Sequence, residues 1–218
     1  MLAGIRAVIF DFDYTLADSA RGAIDCINSA LAAMGLPAAT EEAICSTIGM
    51  SLSAAYEKLT ADSRHDRALE FAGLFIRRAG EVMVDKTVVF ETVRPTVTVL
   101  KGQGLRLGIV STKFRFRIEE ILRRDALLSY FDVIVGGEDV PLHKPDPAGL
   151  LSAIERLACN PAEALYVGDA LADAETAERA NVAFIAILSG VTPKKAFDSF
   201  KVHSFIDSLL ELADEIYS

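Results

Sequence analysis

Short apolar runs that stop abruptly on polar side chains recur along this chain, and that rhythm restricts it to few folds. The first run is Ala7 to Phe12 (AVIFDF), β-branched and aromatic, with Asp11 inside its end and Asp13 just beyond it. The others are Leu105 to Val110, Phe131 to Val135, Ala164 to Val167 and Ala183 to Ile187. Runs this short, apolar almost throughout, read as strands of a parallel sheet buried on both faces. Helical stripes separate the later ones: Phe114, Ile118, Ile121 and Leu122 share a face, as do Leu150, Leu151, Ile154 and Leu157. Strands alternating with helices of this length predict an α/β fold, a Rossmann-like parallel sheet with helices on both faces.

From residue 17 to 86 the rhythm lapses. This interval holds no convincing strand but carries helical stripes, one through Ile24, Ile27, Leu31 and Met34, another through Leu69, Ala72, Phe75 and Ile76. Pro37 and the Gly49 region read as turns within it. The simplest organisation is an α/β core built from 1–16 and 87–218, with an all-α domain of 17–86 inserted after the first strand. A length of 218 residues suits a domain carrying such an insertion.

Hydrophobic residues make up 51% and charged ones 24%, enough apolar material for a sizeable core. The net charge of −9 argues against a nucleic acid or an anionic membrane surface as partner. Cys26, Cys45 and Cys159 are scattered and form no CxxC pair, which points to a reducing compartment. The first residues lack the apolar core and small-residue cleavage site of a signal peptide, and no apolar run reaches the length of a membrane span. A cytoplasmic location is expected.

Four segments carry candidate chemistry, and each follows a predicted strand. In Asp11-Phe12-Asp13-Tyr14-Thr15, two carboxylates at the end of a buried strand demand compensation by a cation or a proton. Mg²⁺, a hard cation that takes oxygen ligands, is the natural choice. An EF-hand loop fits poorly, because Leu16 and Gly22 stand where Gly and a bidentate Glu belong. Ser111-Thr112-Lys113 sets hydroxyls and backbone amides before a helix, a phosphate seat or ordinary helix capping. In His143-Lys144-Pro145-Asp146-Pro147, Lys144 could aim an ammonium at a phosphoryl group, Asp146 suits a helix N-cap, and His143 reads as structural. Gly168-Asp169-Ala170-Leu171-Ala172-Asp173 adds a carboxylate at a strand end and another one helical turn on, with Gly168 permitting a sharp turn. Each segment has a structural explanation alone. Together they fall at the C-terminal ends of strands, the edge where open parallel sheets bind ligands.

This ordered set resembles the haloacid dehalogenase superfamily, and within it the phosphoglycolate-phosphatase-like phosphatases with a helical cap. The resemblance rests on DxDxT, a Ser or Thr after the second core strand, Lys-Pro in a later loop, and GDxxxD, and it extends over essentially the whole chain. It implies a haloacid-dehalogenase-like core with a helical cap, and a Mg²⁺-dependent phosphatase acting on a small phosphorylated metabolite through an aspartyl-phosphate. It implies roles as well: Asp11 as nucleophile and metal ligand, and Asp13 as general acid then base, lending its backbone carbonyl to the metal. Ser111 with the adjacent Thr112 amide would hold the phosphoryl group, Lys144 would neutralise charge, Asp169 would complete the metal shell, and Asp173 would support it from behind.

Asp13 separates this chain from dehalogenating and phosphonate-cleaving relatives, which lack an acid there, and favours ester hydrolysis because an alcohol leaving group needs a proton. A sugar phosphomutase of the β-phosphoglucomutase type uses the same acids and is the alternative within the family. A phospho-acceptor signalling domain is the alternative outside it, and the helical block between Leu16 and Thr87 argues against it. A non-catalytic binding protein need not retain every charged position. One departure stands out: Tyr14 occupies the place where the family usually has Gly, and it reads either as narrowing the entrance or altering how the cap closes, or as a phenol covering apolar surface, which leaves the choice of ester open. Thr47 to Leu52 reads either as a cap turn that dips toward substrate or as a plain helix-helix turn. Oligomeric state is not legible.

Overall fold

The computed structural model describes Leu2 and residues 4–217. From the N-terminus, β1 (Ala7–Phe10) and the two-residue β2 (Ala17–Asp18) lead into four helices, α1 (Ala20–Ala33), α2 (Glu41–Cys45), α3 (Leu52–Thr60) and α4 (His65–Lys86). After β3 (Val88–Val89) come α5 (Val93–Gly102), β4 (Arg106–Val110), α6 (Arg115–Arg124), β5 (Val133–Val135) and α7 (Ala148–Arg156). The chain closes with β6 (Ala164–Gly168), α8 (Leu171–Ala180), β7 (Ala183–Ile187), β8 (Ser204–Ile206) and α9 (Leu212–Tyr217). Contacts divide it into two compact units, Met1–Ala17 with Val89–Ser218, and Asp18–Val88.

The first unit is built on a six-stranded sheet of order β5-β4-β1-β6-β7-β8, parallel at every pairing. Helices flank it, as the alternation of runs and stripes requires. All four residues of β1 are buried, as its unbroken apolar sequence predicts for a central strand. The core on one side gathers Ile9, Val110, Leu150, Ile154, Tyr166, Phe184 and Phe197 among others.

Sequence and structure part at several places. The first strand ends at Phe10, not Phe12: the Asp11 amide still reaches the Val167 carbonyl at 2.9 Å, and the chain bends at Phe12. A sixth strand, β8, escapes the sequence pattern: three residues at the sheet edge, only Ile206 of them fully buried, give too short a signal to read. Leu151 is 40% exposed, so the buried stripe of α7 runs through Gly149, Leu150, Ala153 and Ile154.

In the second unit α1 and α4 are the main packing partners, and the core holds Ala23, Ile27, Leu31, Ile44, Tyr56, Ala68 and Phe71. Leu69 is 56% exposed, so α4 turns Ala68, Phe71, Ala79 and Met83 inward instead of the face expected through Leu69 and Ile76. The side chain of Asp25 on α1 accepts from Arg78 at 2.6 Å and Lys86 at 2.5 Å on α4, tying the two helices where they are partly wet. Residues 47–50 form the turn between α2 and α3, with Gly49 at φ +90° and Ser51 capping α3 through the Ala54 amide.

Candidate active site

The strand register delivers the acids to one edge. Phe10 lies opposite Ile109 on one side and Val167 on the other, and Val110 lies opposite Val135. The residues that follow these strands, Asp11, Ser111 and Asp169, therefore emerge side by side at the C-terminal ends of β1, β4 and β6. Lys144 arrives from the loop after β5, whose Lys144–Pro145 peptide is cis.

Lys144 is the hub. Its Nζ stands 2.8 Å from Asp11 Oδ1 and 2.6 Å from Asp173 Oδ1, with the three side chains between 0% and 5% exposed. Burial alone would lower its ammonium pKa, but the charges of Asp11 and Asp173 outweigh that and hold it above the ordinary range. Burial acts oppositely on the carboxylates. It pushes Asp11 up to about 6 against the pull of Lys144, with Asp173 adding to the rise. It drives Asp169 well above the usual carboxylate range, again with help from Asp173 and Asp11. The site is short of positive charge.

Asp173 is saturated. Its Oδ1 accepts from Lys144 at 2.6 Å and from the Tyr166 hydroxyl at 2.9 Å, while Oδ2 accepts from the Ala170 amide at 3.0 Å and so closes the first turn of α8. Gly168 is explained by the same carboxylate: a Cβ there would sit 2.5 Å from Asp173 Cγ. Its requirement is thus space rather than the sharp turn expected from sequence, since its φ is not positive.

Asp13 has a lysine of its own, and its charge adds to the rise at Asp11. Its carboxylate pairs with Lys113 Nζ at 3.0 Å, both side chains 8% exposed. Ser111 is buried, and its Oγ accepts from the Lys113 amide at 3.3 Å. Ser111 and Thr112 line a small cavity with His143 and Lys144. The N-terminus of α6 is not a phosphate seat, however, because Glu138 already accepts from the Arg115 amide at 2.8 Å and the Phe116 amide at 3.4 Å. His143 has a buried Nδ1 without a hydrogen-bond partner, and Asp146 caps the Ala148 amide at 2.9 Å.

A divalent cation fits this donor set. Asp11, Asp169 and Asp173 each offer one oxygen within 4.8 Å of the others. Asp11 Oδ1 accepts no well-formed hydrogen bond despite its ion pair, and the one described hydrogen bond to Asp169 is a 3.3 Å contact from the Thr15 hydroxyl. Four buried carboxylates, Asp11, Asp13, Asp169 and Asp173, face the two ammonium groups of Lys113 and Lys144. A hard cation taking oxygen ligands supplies the missing charge, and Asp11 with Asp169 are the residues with lone pairs to give it.

Sequence reasoning quoted Thr15 and Lys113 within its segments without giving either a role, and it missed Tyr166, Ser189 and Gly190. Lys113 and Ser189 were within reach, since each follows a strand run at the same sheet edge. Tyr166 was hidden inside an apolar run, where only the fold reveals that its hydroxyl meets Asp173.

The acids and lysines at the carboxyl edge of this doubly flanked parallel sheet fit the resemblance, and residues 8–187 match the haloacid dehalogenase-like hydrolases. The chain belongs to that family. Among its relatives, the phosphoglycolate phosphatase of Escherichia coli (strain K12) is 32% identical over 215 residues, 89% of this chain and 85% of that protein. The phosphoglycolate phosphatase of Salmonella typhimurium is 32% identical over 229 residues, 91% of each chain. A crystal structure of a haloacid dehalogenase-like hydrolase from Bacteroides fragilis superposes with a TM-score of 0.93 at 43% identity, covering 95% of this chain and 99% of that one. A subfamily IA hydrolase from Geobacter sulfurreducens shares the fold, with a TM-score of 0.70 at 24% identity over 98% and 97% of the two chains.

Proposed function

We propose that this chain is a Mg²⁺-dependent phosphatase that hydrolyses a small phosphate monoester of the phosphoglycolate type, with Asp11 as its nucleophile. The carrying observation is the buried cluster of Asp11, Asp169 and Asp173 around Lys144, at the sheet edge where the family resemblance puts its reacting groups. The names of the 32% identical relatives support the reaction class. Scattered free cysteines fit a cytoplasmic setting, and no described helix is long and apolar enough to cross a membrane.

Phosphoryl transfer asks mainly for positioning and neutralisation of charge. Lys144 holds Asp11 by a 2.8 Å ion pair, fixing the attacking carboxylate while offsetting charge on the phosphoryl oxygens. Asp11 and Asp169 would hold Mg²⁺, which when bound supplies further charge neutralisation at the phosphoryl group. Ser111 and the Thr112 backbone would receive the phosphoryl oxygens. A carboxylate oxygen of Asp11 forms a bond to phosphorus as the ester oxygen leaves, and Asp13 gives that oxygen its proton. Water then attacks the acyl phosphate, Asp13 takes the water's proton, and phosphate and free Asp11 result. Lys113 holds Asp13 in place for both proton transfers.

The test is Mg²⁺-dependent release of phosphate from p-nitrophenyl phosphate, acetyl phosphate and phosphoglycolate by the purified protein. Asp13→Asn should slow both formation and breakdown of the phospho-enzyme. A variant that altered only KM would remove the acid/base role from Asp13.

A further inference from the structure

Five described non-glycine residues have positive φ: Tyr14, Ala61, Ala126, Ala158 and Asn181. Ala61 and Asn181 are the terminal caps of α3 and α8, and Ala126 and Ala158 follow the caps of α6 and α7. A left-handed residue is how helices commonly end, so these four need no further reason. Tyr14 ends no helix. It is the bulkiest of the five, it sits at φ +60°, and it directly follows Asp13. An L side chain with a ring disfavours this region, so the surroundings must hold it there.

The restraints are visible. Tyr14 donates its amide to the Ala17 carbonyl at 2.7 Å, and the Leu16 and Ala17 amides both reach the Phe12 carbonyl, at 2.9 and 3.0 Å. These bonds close the turn from within. A further restraint comes from outside it: the Ser189 hydroxyl, in the loop after β7, donates to the Tyr14 carbonyl. The next residue, Gly190, lies so close to Asp169 that a Cβ would stand 2.0 Å from its Oδ2. Two consecutive residues thus touch the turn that carries Asp11 and Asp13 and the carboxylate of Asp169. Ser189 is itself exposed, so loss of its hydroxyl opens no core cavity.

We infer that Ser189 is a positioning residue for the acid-bearing turn: its hydroxyl locks Tyr14 in the left-handed conformation while Gly190 keeps the same backbone against Asp169. The loop after β7 then sets the spacing between two of the acid-bearing strand ends. Glycine at position 14 would adopt this conformation freely. The lock is therefore required because tyrosine is there. This deepens the metal-dependent reading above and rests on it only for the metal readout.

A double-mutant cycle of Ser189→Ala and Tyr14→Gly decides it, read by thermal unfolding in EDTA and by calorimetric titration with Mg²⁺. With Tyr14 present, Ser189→Ala should lower Tm by about 2–4 °C and weaken Mg²⁺ binding about tenfold, as loss of a group supporting a ligand does. With glycine at position 14, both effects should shrink to less than half. Ser189→Thr, which keeps the hydroxyl, should restore both. Equal losses in the two backgrounds would overturn the lock, and unchanged Mg²⁺ affinity in Ser189→Ala would overturn the positioning role. If none of the variants nor the parent binds Mg²⁺, the metal-dependent reading fails, while the Tm cycle still decides the lock.

Discussion

Replacing Asp11 with asparagine should abolish turnover and, in metal-free protein at neutral pH, make the fold more stable. Asp11 is 2% exposed, and its carboxyl is pushed from 3.8 up to about 6, burial being the largest cause. Between those two values the folded protein binds a proton that the unfolded chain has released. Stability therefore falls as pH rises through this window and stays low above it. At about 1.4 kcal/mol per pH unit, the ionised carboxylate costs the fold about 3 kcal/mol at pH 7. Asparagine mimics the protonated carboxyl in shape and charge, so Asp11→Asn removes that cost. For a chain of this size 1 kcal/mol moves Tm by about 2–4 °C, so the variant should melt about 6–12 °C higher in EDTA at pH 7.5. The difference should shrink to about 1–2 °C near pH 4, where the folded parent is protonated as well, because the unfolded carboxyl at 3.8 is then only partly ionised. Mg²⁺ should narrow it from the other side, raising the parent by about 2.7 kcal/mol at a hundredfold excess over Kd and the variant by less. Differential scanning calorimetry from pH 4 to 8, with and without Mg²⁺, measures all of this. A variant no more stable than the parent in EDTA at pH 7.5 would refute the claim that an undercompensated carboxylate is held at position 11.

Two other substitutions separate the remaining parts of the site. Lys113→Met leaves Asp13 without its 3.0 Å partner, and kcat should fall by about 10² with KM little changed; stopped-flow and steady-state kinetics together would reveal a pure KM effect, which would place Lys113 in binding instead. Gly190→Ala drives a methyl group into the Asp169 carboxylate, 2.0 Å away, and because a side chain rather than backbone must yield, Mg²⁺ affinity should drop at least about tenfold while Tm changes by a few degrees at most; an unchanged calorimetric Kd would show that Asp169 takes no part in binding the cation.

Much of the sheet was legible because parallel strands buried on both faces must be apolar along their whole length. The runs at Ala7, Ala164 and Ala183 needed no partner to be recognised. Where burial was partial the signal failed. The edge strand at Ser204 was invisible, and Leu69 and Leu151 looked like core residues although solvent meets them. Helical periodicity gives a face only to within a residue or so, and the neighbouring element selects which residue turns inward.

The site divides along the same line. Sequence alone determined which residue types stand at the strand ends, Asp11, Ser111, Lys144 and Asp169, because each lies beside a run whose strand character is local. It also marked Tyr14 as a departure. Only the tertiary structure decided the pairings: Lys144 with both Asp11 and Asp173, Asp13 with Lys113, Tyr166 with Asp173, and Ser189 with Tyr14 across 175 positions of chain. Such contacts are set by strand order and register, and strand order is a property of how distant segments pack. A carboxylate's neighbours in space govern its charge, so the chemistry of Asp11 became readable only when β4 and β6 were placed on either side of β1.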